Sequence, residues 1–160
     1  MNDYELTPTQ ENDIGMMSRI HTESFDDAWT GPMIRRILSM PGSGGLVARA
    51  GRPWSIAGFT ILRTAADECE ILSLAVALEH RGRGVGALLL DGAIVQAHAL
   101  GATKLFLEVA EDNEIARRLY DSRGLVAVGR RPGYYTKKDG TTATAVTMSR
   151  ALEEVVGVSA

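Results

Sequence analysis

The chain has a single cysteine, Cys69, among its 160 residues. No disulfide can close within it, and a reducing compartment is its natural setting. The histidines His21, His80 and His98 stand at no metal-ligand spacing from one another or from Cys69, so no metal site is expected. Apolar runs fall short of the ~20 residues that a membrane-spanning helix needs. The opening Met1-Asn2-Asp3-Tyr4-Glu5 is acidic and polar, unlike a signal peptide. A cytoplasmic protein without membrane contact is the expectation. A basic excess is missing as well: the net charge of −3 and pI near 5.6 supply no positive field for nucleic acid. Lys and Arg are scattered except for the pairs Arg35-Arg36, Arg117-Arg118, Arg130-Arg131 and Lys137-Lys138, which read as solvated surface.

What is present is a globular composition, 45% apolar and 23% charged. The length suits one domain, expected over residues 1–150, with 151–160 as a C-terminal tail. Residues 3–7 read as a short strand, and Ile14, Met17, Ile20 and His21 recur at helical spacing. Thr30 is an N-cap for a second helix through Ile34, Ile37 and Leu38, which stops at Pro41-Gly42. After a loop at Gly42–Gly45, strands are expected at Leu46–Ala50, Ile56–Leu62 and Cys69–Leu78, with turns at Gly51-Arg52-Pro53 and Ala66-Asp67-Glu68. Short connections make these an antiparallel meander. A helix over Gly84–Leu100 precedes Thr103–Ala110, a nearly continuous apolar strand of the kind covered on both faces. Asn113 caps a helix to Arg123, and strands at Leu125–Arg130 and Thr142–Arg150 flank a loop at Pro132–Gly140. The class is α/β: a mixed sheet, antiparallel in its first half, with a strand-helix-strand crossover from about residue 69.

The most informative stretch is Leu74-Ala75-Val76-Ala77-Leu78-Glu79-His80-Arg81-Gly82-Arg83-Gly84-Val85-Gly86-Ala87. A strand ends, a glycine-rich turn with two arginines follows, and a helix begins. Unpaired N–H groups and the positive end of the dipole make a helix start a place for an anion. The alternating glycines Gly82, Gly84 and Gly86 let backbone approach a phosphate, and Arg81 and Arg83 add charge at the rim. A pyrophosphate fits this pattern. A purely structural turn would not explain the arginines. A dinucleotide fold is the sharper rival, since Gly82–Ala87 satisfies G-x-G-x-x-A and Glu108 stands where a ribose acid would. Against it, several strands precede the glycines and little chain follows them.

Arg81-x-x-Gly84-x-Gly86 resembles the acetyl-CoA pyrophosphate signature of the GNAT superfamily. Leu107-Glu108-Val109, Asn113, Ala116, Leu119-Tyr120 and Gly124 resemble that family's second half in order and spacing. With Ala28-Trp29-Thr30 and Arg130-Arg131-Pro132-Gly133-Tyr134-Tyr135, they are similar to the bacterial ribosomal-protein-alanine N-acetyltransferases over roughly residues 5 to 150. Two departures stand out. Leu125 replaces the usual Phe, and Thr141-Thr142-Ala143-Thr144 replaces Arg-Glu-Asp-Ala near the expected substrate mouth.

The resemblance implies a single-domain GNAT fold whose mixed sheet, flanked by helices, has a parallel pair at the cofactor cleft. It implies acetyl-CoA as co-substrate and direct transfer to an amine. The acceptor would be the N-terminus of a protein or peptide, ribosomal proteins among them. A small-molecule amine acetyltransferase and a non-catalytic acyl-CoA-binding module are the alternatives. Arg81–Ala87 would hold the pyrophosphate, Leu74, Ala75 and Val76 would pair through backbone with the pantetheine arm, and Asn113 would contact the cofactor besides capping its helix. Glu108, inside an apolar run where burial would raise its pKa, would be the general base; its bland counterpart is a strand glutamate paired with an arginine. Tyr120 would protonate the departing thiolate, or merely fill core. Trp29, Tyr134 and Tyr135 would line the acceptor groove, or be partly buried core.

Overall fold

The computed structural model describes residues 3–51 and 55–153. Its strands are β1 (Tyr4–Pro8), β2 (Ser43–Ala50), β3 (Ser55–Ala65), β4 (Glu68–Val76), β5 (Lys104–Ala110), β6 (Val126–Thr136) and β7 (Thr142–Ala151). The helices are α1 (Ile14–Ser24), α2 (Gly31–Leu38), α3 (Val85–Ala99) and α4 (Glu114–Ser122). The seven strands form one sheet in the order β1-β2-β3-β4-β5-β7-β6. β1–β2, β2–β3, β5–β7 and β6–β7 pair antiparallel, whereas β4 and β5 pair parallel through Glu68–Glu70 and Lys104–Phe106. This is the expected mixed α/β sheet. No helix among the described residues is long and apolar enough to cross a membrane.

Three expectations are corrected. β2 begins at Ser43, inside the supposed glycine loop, because Ser43, Gly44 and Gly45 pair with Arg63, Leu62 and Ile61. β6 continues to Thr136 through the supposed loop at Pro132–Gly140. Its register slips between Arg131 and Tyr135, an irregularity that takes up Pro132 and Gly133. β5 alternates strictly: Leu105, Leu107 and Val109 are buried, while Lys104, Phe106, Glu108 and Ala110 are half-buried. The Gly51-Arg52-Pro53 turn lies partly outside the described residues, as do residues 154–160 of the expected tail.

The chain divides into two compact units, one comprising the chain up to Arg63 together with Ile71–Ala93, the other Thr64–Glu70 and everything from Ile94 onward. In the first, alternate strand residues separate two cores. Val47, Phe59 and Ile61 pack with Ile14, Met17, Ile20 and Ile34 of α1 and α2. Ala48 and Ala57, on the opposite face, pack with Val85 and Leu89 of α3. Gly58 sets the fit on that face. A Cβ there would stand 2.7 Å from the Ala75 carbonyl oxygen and 3.0 Å from Leu89 Cδ1, so only glycine lets β3, β4 and α3 close together.

One buried ion pair ties the start of the chain. Asp13 is 5% exposed. Its carboxylate takes both guanidinium arms of Arg49, at 2.9 and 2.7 Å, and the Gln10 N–H at 2.7 Å. Arg49 Nε donates to Thr7 Oγ1 at 2.7 Å. β1, β2 and the approach to α1 are thus fastened at one point. Burial works to raise the Asp13 pKa, but the hydrogen bonds from Arg49 and Gln10 outweigh it and hold the carboxyl below its usual range.

His21 is the other buried polar group of consequence. Its Nδ1 accepts the Trp29 N–H at 3.0 Å, its ring stacks on Trp29 at 4.6 Å, and Ser18 Oγ donates to the Trp29 carbonyl at 2.7 Å. Burial pushes the imidazole pKa down to about 4, against a weaker upward pull from Asp27. Cys69 is fully buried on β4, and burial pushes its thiol up.

Two outcomes follow. Asp13→Asn should destabilise by about 3 kcal/mol or more, since it strands a buried guanidinium, and Arg49→Met added to it should recover part of the loss in urea unfolding. Between about pH 6.5 and 4 the unfolded chain binds a proton at His21 that the native chain does not, so stability should fall as pH falls through that window. His21→Phe should flatten that slope, at a cost of about 1–2 kcal/mol at pH 7 for the stranded Trp29 N–H. Asp13, depressed instead, loses its contribution only at lower pH, below the usual carboxylate range.

Candidate active site

In the first unit, β4 delivers the chain to the glycine turn. Ala75 is buried in the core, while Leu74 and Val76 are half-buried on the α3 side. The strand ends as Ala77 N–H donates to the Ala57 carbonyl at 2.8 Å, and a single 3-10 turn, Leu78–His80, follows. Tyr4 and His80 are joined through Tyr4 Oη and His80 Nδ1 at 3.1 Å. Gly82 and Gly84 adopt φ of +76° and +83°. A Cβ at either would meet nothing within 4 Å, so backbone conformation, not space, requires glycine at both. Both positions therefore face open space.

Leu88 N–H closes on the Gly84 carbonyl at 3.0 Å, and the amides of Val85, Gly86 and Ala87 lie ahead of it in the first turn of α3. Arg83 is exposed beside them. Arg81 is used differently. Its Nε donates to the Val76 carbonyl and its Nη2 to Ser24 Oγ, both at 3.1 Å, so its guanidinium ties the turn to the strand end and to α1. Trp29 is half-buried, its ring stacked on His21.

The second unit gathers five of the remaining side chains. Glu108 on β5 lies opposite Thr147 of β7, which lies opposite Gly129 of β6. No side chain rises at Gly129, and small Ala145 stands opposite both Ala110 and Arg131. Across this cleared face Arg131 Nη2 donates to Glu108 Oε1. Glu108 Oε2 is shut away from solvent and has no hydrogen-bond partner among the described residues. Glu108 is thus paired with an arginine through one oxygen, as its bland counterpart has it, and the pair Arg130-Arg131, though exposed as expected, is engaged: Arg130 bonds Glu111 as Arg131 bonds Glu108. Lys137 bonds Asp112, whose pKa that bond lowers.

Arg131 also lies over the Tyr134 ring, 4.1 Å from its centroid, and Tyr134 meets Tyr135 edge-on at 5.2 Å. Tyr134 is 51% exposed. Burial first, then Glu108 and Tyr134, push the Tyr135 phenol up, with Arg131 partly opposing. Tyr120 on α4 is buried, and burial with Tyr135 pushes it up to about 12. Asn113 is a true N-cap: its Oδ1 accepts the Ala116 N–H at 3.3 Å. In the departing segment, the Thr141 N–H and hydroxyl both donate to Asp139 Oδ1, at 2.9 and 2.6 Å, and close the β6–β7 turn. Arg131 is the residue that sequence reasoning missed. Extending the strand past Pro132 would have placed it on the face of Glu108.

The acetyltransferase (GNAT) family model matches residues 14–125. A Haemophilus ducreyi protein named [ribosomal protein bS18]-alanine N-acetyltransferase is 38% identical over 95 residues, 59% of this chain and 66% of that protein. The crystal structure of the ribosomal-protein-S18-alanine N-acetyltransferase from Escherichia coli superposes with a TM-score of 0.87 at 21% identity, covering 97% of each chain. Ard1 from Thermoplasma volcanium superposes at 0.85 with 26% identity, over 96% of this chain and all of that one. Sheet order, glycine turn and family match agree. The chain belongs to the acetyltransferase (GNAT) family.

Proposed function

We propose that the chain transfers the acetyl group of acetyl-CoA directly to the α-amine of a protein N-terminus, a ribosomal protein being the acceptor that its relatives' names suggest. The observation that carries this reading is Glu108: a carboxylate with one oxygen anchored by Arg131 and the other buried without a partner, beside Tyr135 and through it Tyr120. A buried acceptor atom left without a donor is costly, and an amine or its proton would satisfy it.

The turn at Arg81–Ala87 holds the pyrophosphate on the first amides of α3, with Arg83 as the exposed charge and Arg81 as the brace of the turn. The strand end Leu74–Val76 pairs through backbone with the pantetheine arm, the Val76 amide facing the developing oxyanion, and Asn113 contacts the cofactor while capping α4. An α-amine has a pKa of about 7.7–8.0, so a fraction of it is neutral at neutral pH and carries the lone pair that attacks. The amine nitrogen bonds to the thioester carbon, Glu108 Oε2 receives the N–H proton that the nitrogen sheds as the amide forms, the C–S bond breaks, and the sulfur leaves with the bonding pair; net, one proton passes from nitrogen to sulfur. Tyr120 keeps its proton throughout the neutral range and is a donor to that sulfur, not a base. Tyr134 and Tyr135 line the acceptor's approach to Glu108, and Trp29, held by His21, lines the acceptor groove in its own unit. The reaction takes place in the cytoplasm.

A panel of N-terminal peptides, read by release of free thiol from acetyl-CoA, should show turnover. Glu108→Gln should lower kcat/KM by roughly 10²–10⁴-fold while the rise in Tm with acetyl-CoA is kept. Gly84→Asp, which sets a carboxylate against the phosphates at some cost in the left-handed backbone, should abolish that rise. A folded Gly84→Asp protein with a normal Tm rise would remove the pyrophosphate assignment. A Glu108→Gln enzyme with near wild-type kcat/KM would remove the base.

A further inference from the structure

The Glu108 carboxylate is the group that meets the acceptor amine, and it already carries a cation. Arg131 Nη2 donates to Oε1, and the guanidinium is held from its other side by the Tyr134 ring at 4.1 Å. The two neighbouring ion pairs, Arg130 with Glu111 and Lys137 with Asp112, occupy the adjacent charges of the β6–β7 hairpin and of the segment that follows β5. Around Glu108, Arg131 and Tyr135 from β6 act on it directly, Tyr134 packs on Arg131, uncharged Thr147 lies opposite on β7, and Tyr120 is linked to it through Tyr135. Arg131 is the counter-ion that Glu108 holds.

Resting on the acceptor role of Glu108 proposed above, we propose that Arg131 selects the protonation state of the acceptor. By neutralising Glu108 it makes the site take the neutral α-amine and discriminate against the ammonium form. Without Arg131, an ammonium would pair with the bare carboxylate. It would bind tightly and unproductively, since its lone pair is occupied by the proton. With Arg131, the incoming cation meets a guanidinium at the same carboxylate, and only the neutral amine fits beside Oε2. Arg131 is thus a specificity and positioning residue that acts through Glu108. Its Tyr134 contact helps to keep it in place.

Two non-reacting peptides of one sequence test this: one begins with trimethylated alanine, a permanent cation, and the other with a 2-hydroxypropionyl group, which is neutral. Their dissociation constants are compared for the acetyl-CoA-dependent protein and for Arg131→Met and Arg131→Lys. Arg131→Met should improve binding of the cation relative to the neutral peptide by roughly three- to tenfold, the range of a partly exposed ion pair. Arg131→Lys, which keeps the charge, should keep the wild-type ratio, and Glu108→Gln added to Arg131→Met should cancel the gain. With an alanine-starting substrate at pH 6.5, Arg131→Met should lower KM and kcat together, the mark of tighter but unproductive binding. A merely structural arginine would move neither the ratio nor KM in this direction. An Arg131→Met protein with the wild-type ratio overturns the inference while leaving the acetyltransfer reading intact. A wild type that acetylates no N-terminal peptide overturns that reading, and this inference with it.

Discussion

A carboxylate removed from water must find partners, and Asp13 and Glu108 meet that demand in opposite ways. Asp13 meets it completely: two arms of Arg49 and a backbone N–H fill its oxygens, and the result is a fixed joint between the first strands and the first helix. Glu108 meets it by half. One oxygen is anchored and the other is left empty. Full satisfaction produces structure, and partial satisfaction leaves a demand that a substrate can fill. The same electrostatic rule thus separates a carboxylate that holds the fold from the one we propose for the chemistry.

The glycine turn rests on a comparable division between rigid support and open surface. Gly58 removes the atom that would press on the Ala75 carbonyl of β4 and on Leu89 of α3, so the helix can close on the sheet. Arg81, spent on Val76 and Ser24, fixes the approach to that helix. What remains exposed is backbone: amides in the first turn of α3, in front of two glycines whose missing side chains leave clear space. The anion site proposed for this turn, being built of main chain, cannot titrate or rotate away, which suits a ligand bound and released in every turnover.

Much of this was legible in the sequence because local rules govern it. Thr30 and Asn113 are caps in the structure as their positions require, and the order of strands and helices follows the change from alternating to helical periodicity. The glycine-arginine turn could be read because its chemistry is local and mostly backbone. What escaped were contacts between residues distant in sequence. Gly44 and Gly45 look like loop until Leu62 and Ile61 are set opposite them. Pro132 and Gly133 look like the end of a strand, but the register slips around them and β6 continues. Arg131 stands between the expected strand end at Arg130 and the expected loop from Pro132, so its pairing with Glu108, 23 residues away, is not visible in the sequence. His21 likewise reads as a core position on a helix, and only its bond to the Trp29 amide shows that it shapes the chain beyond α1.

The burial of Cys69 has a practical side. It is the one thiol of the chain, it lies fully inside β4, and its surroundings resist the thiolate that electrophiles require. A colorimetric reagent that counts thiolates in solution therefore sees a silent protein under native conditions. Every equivalent it registers during turnover is coenzyme, and a burst of colour from the enzyme itself becomes a direct gauge of how much of the preparation has unfolded.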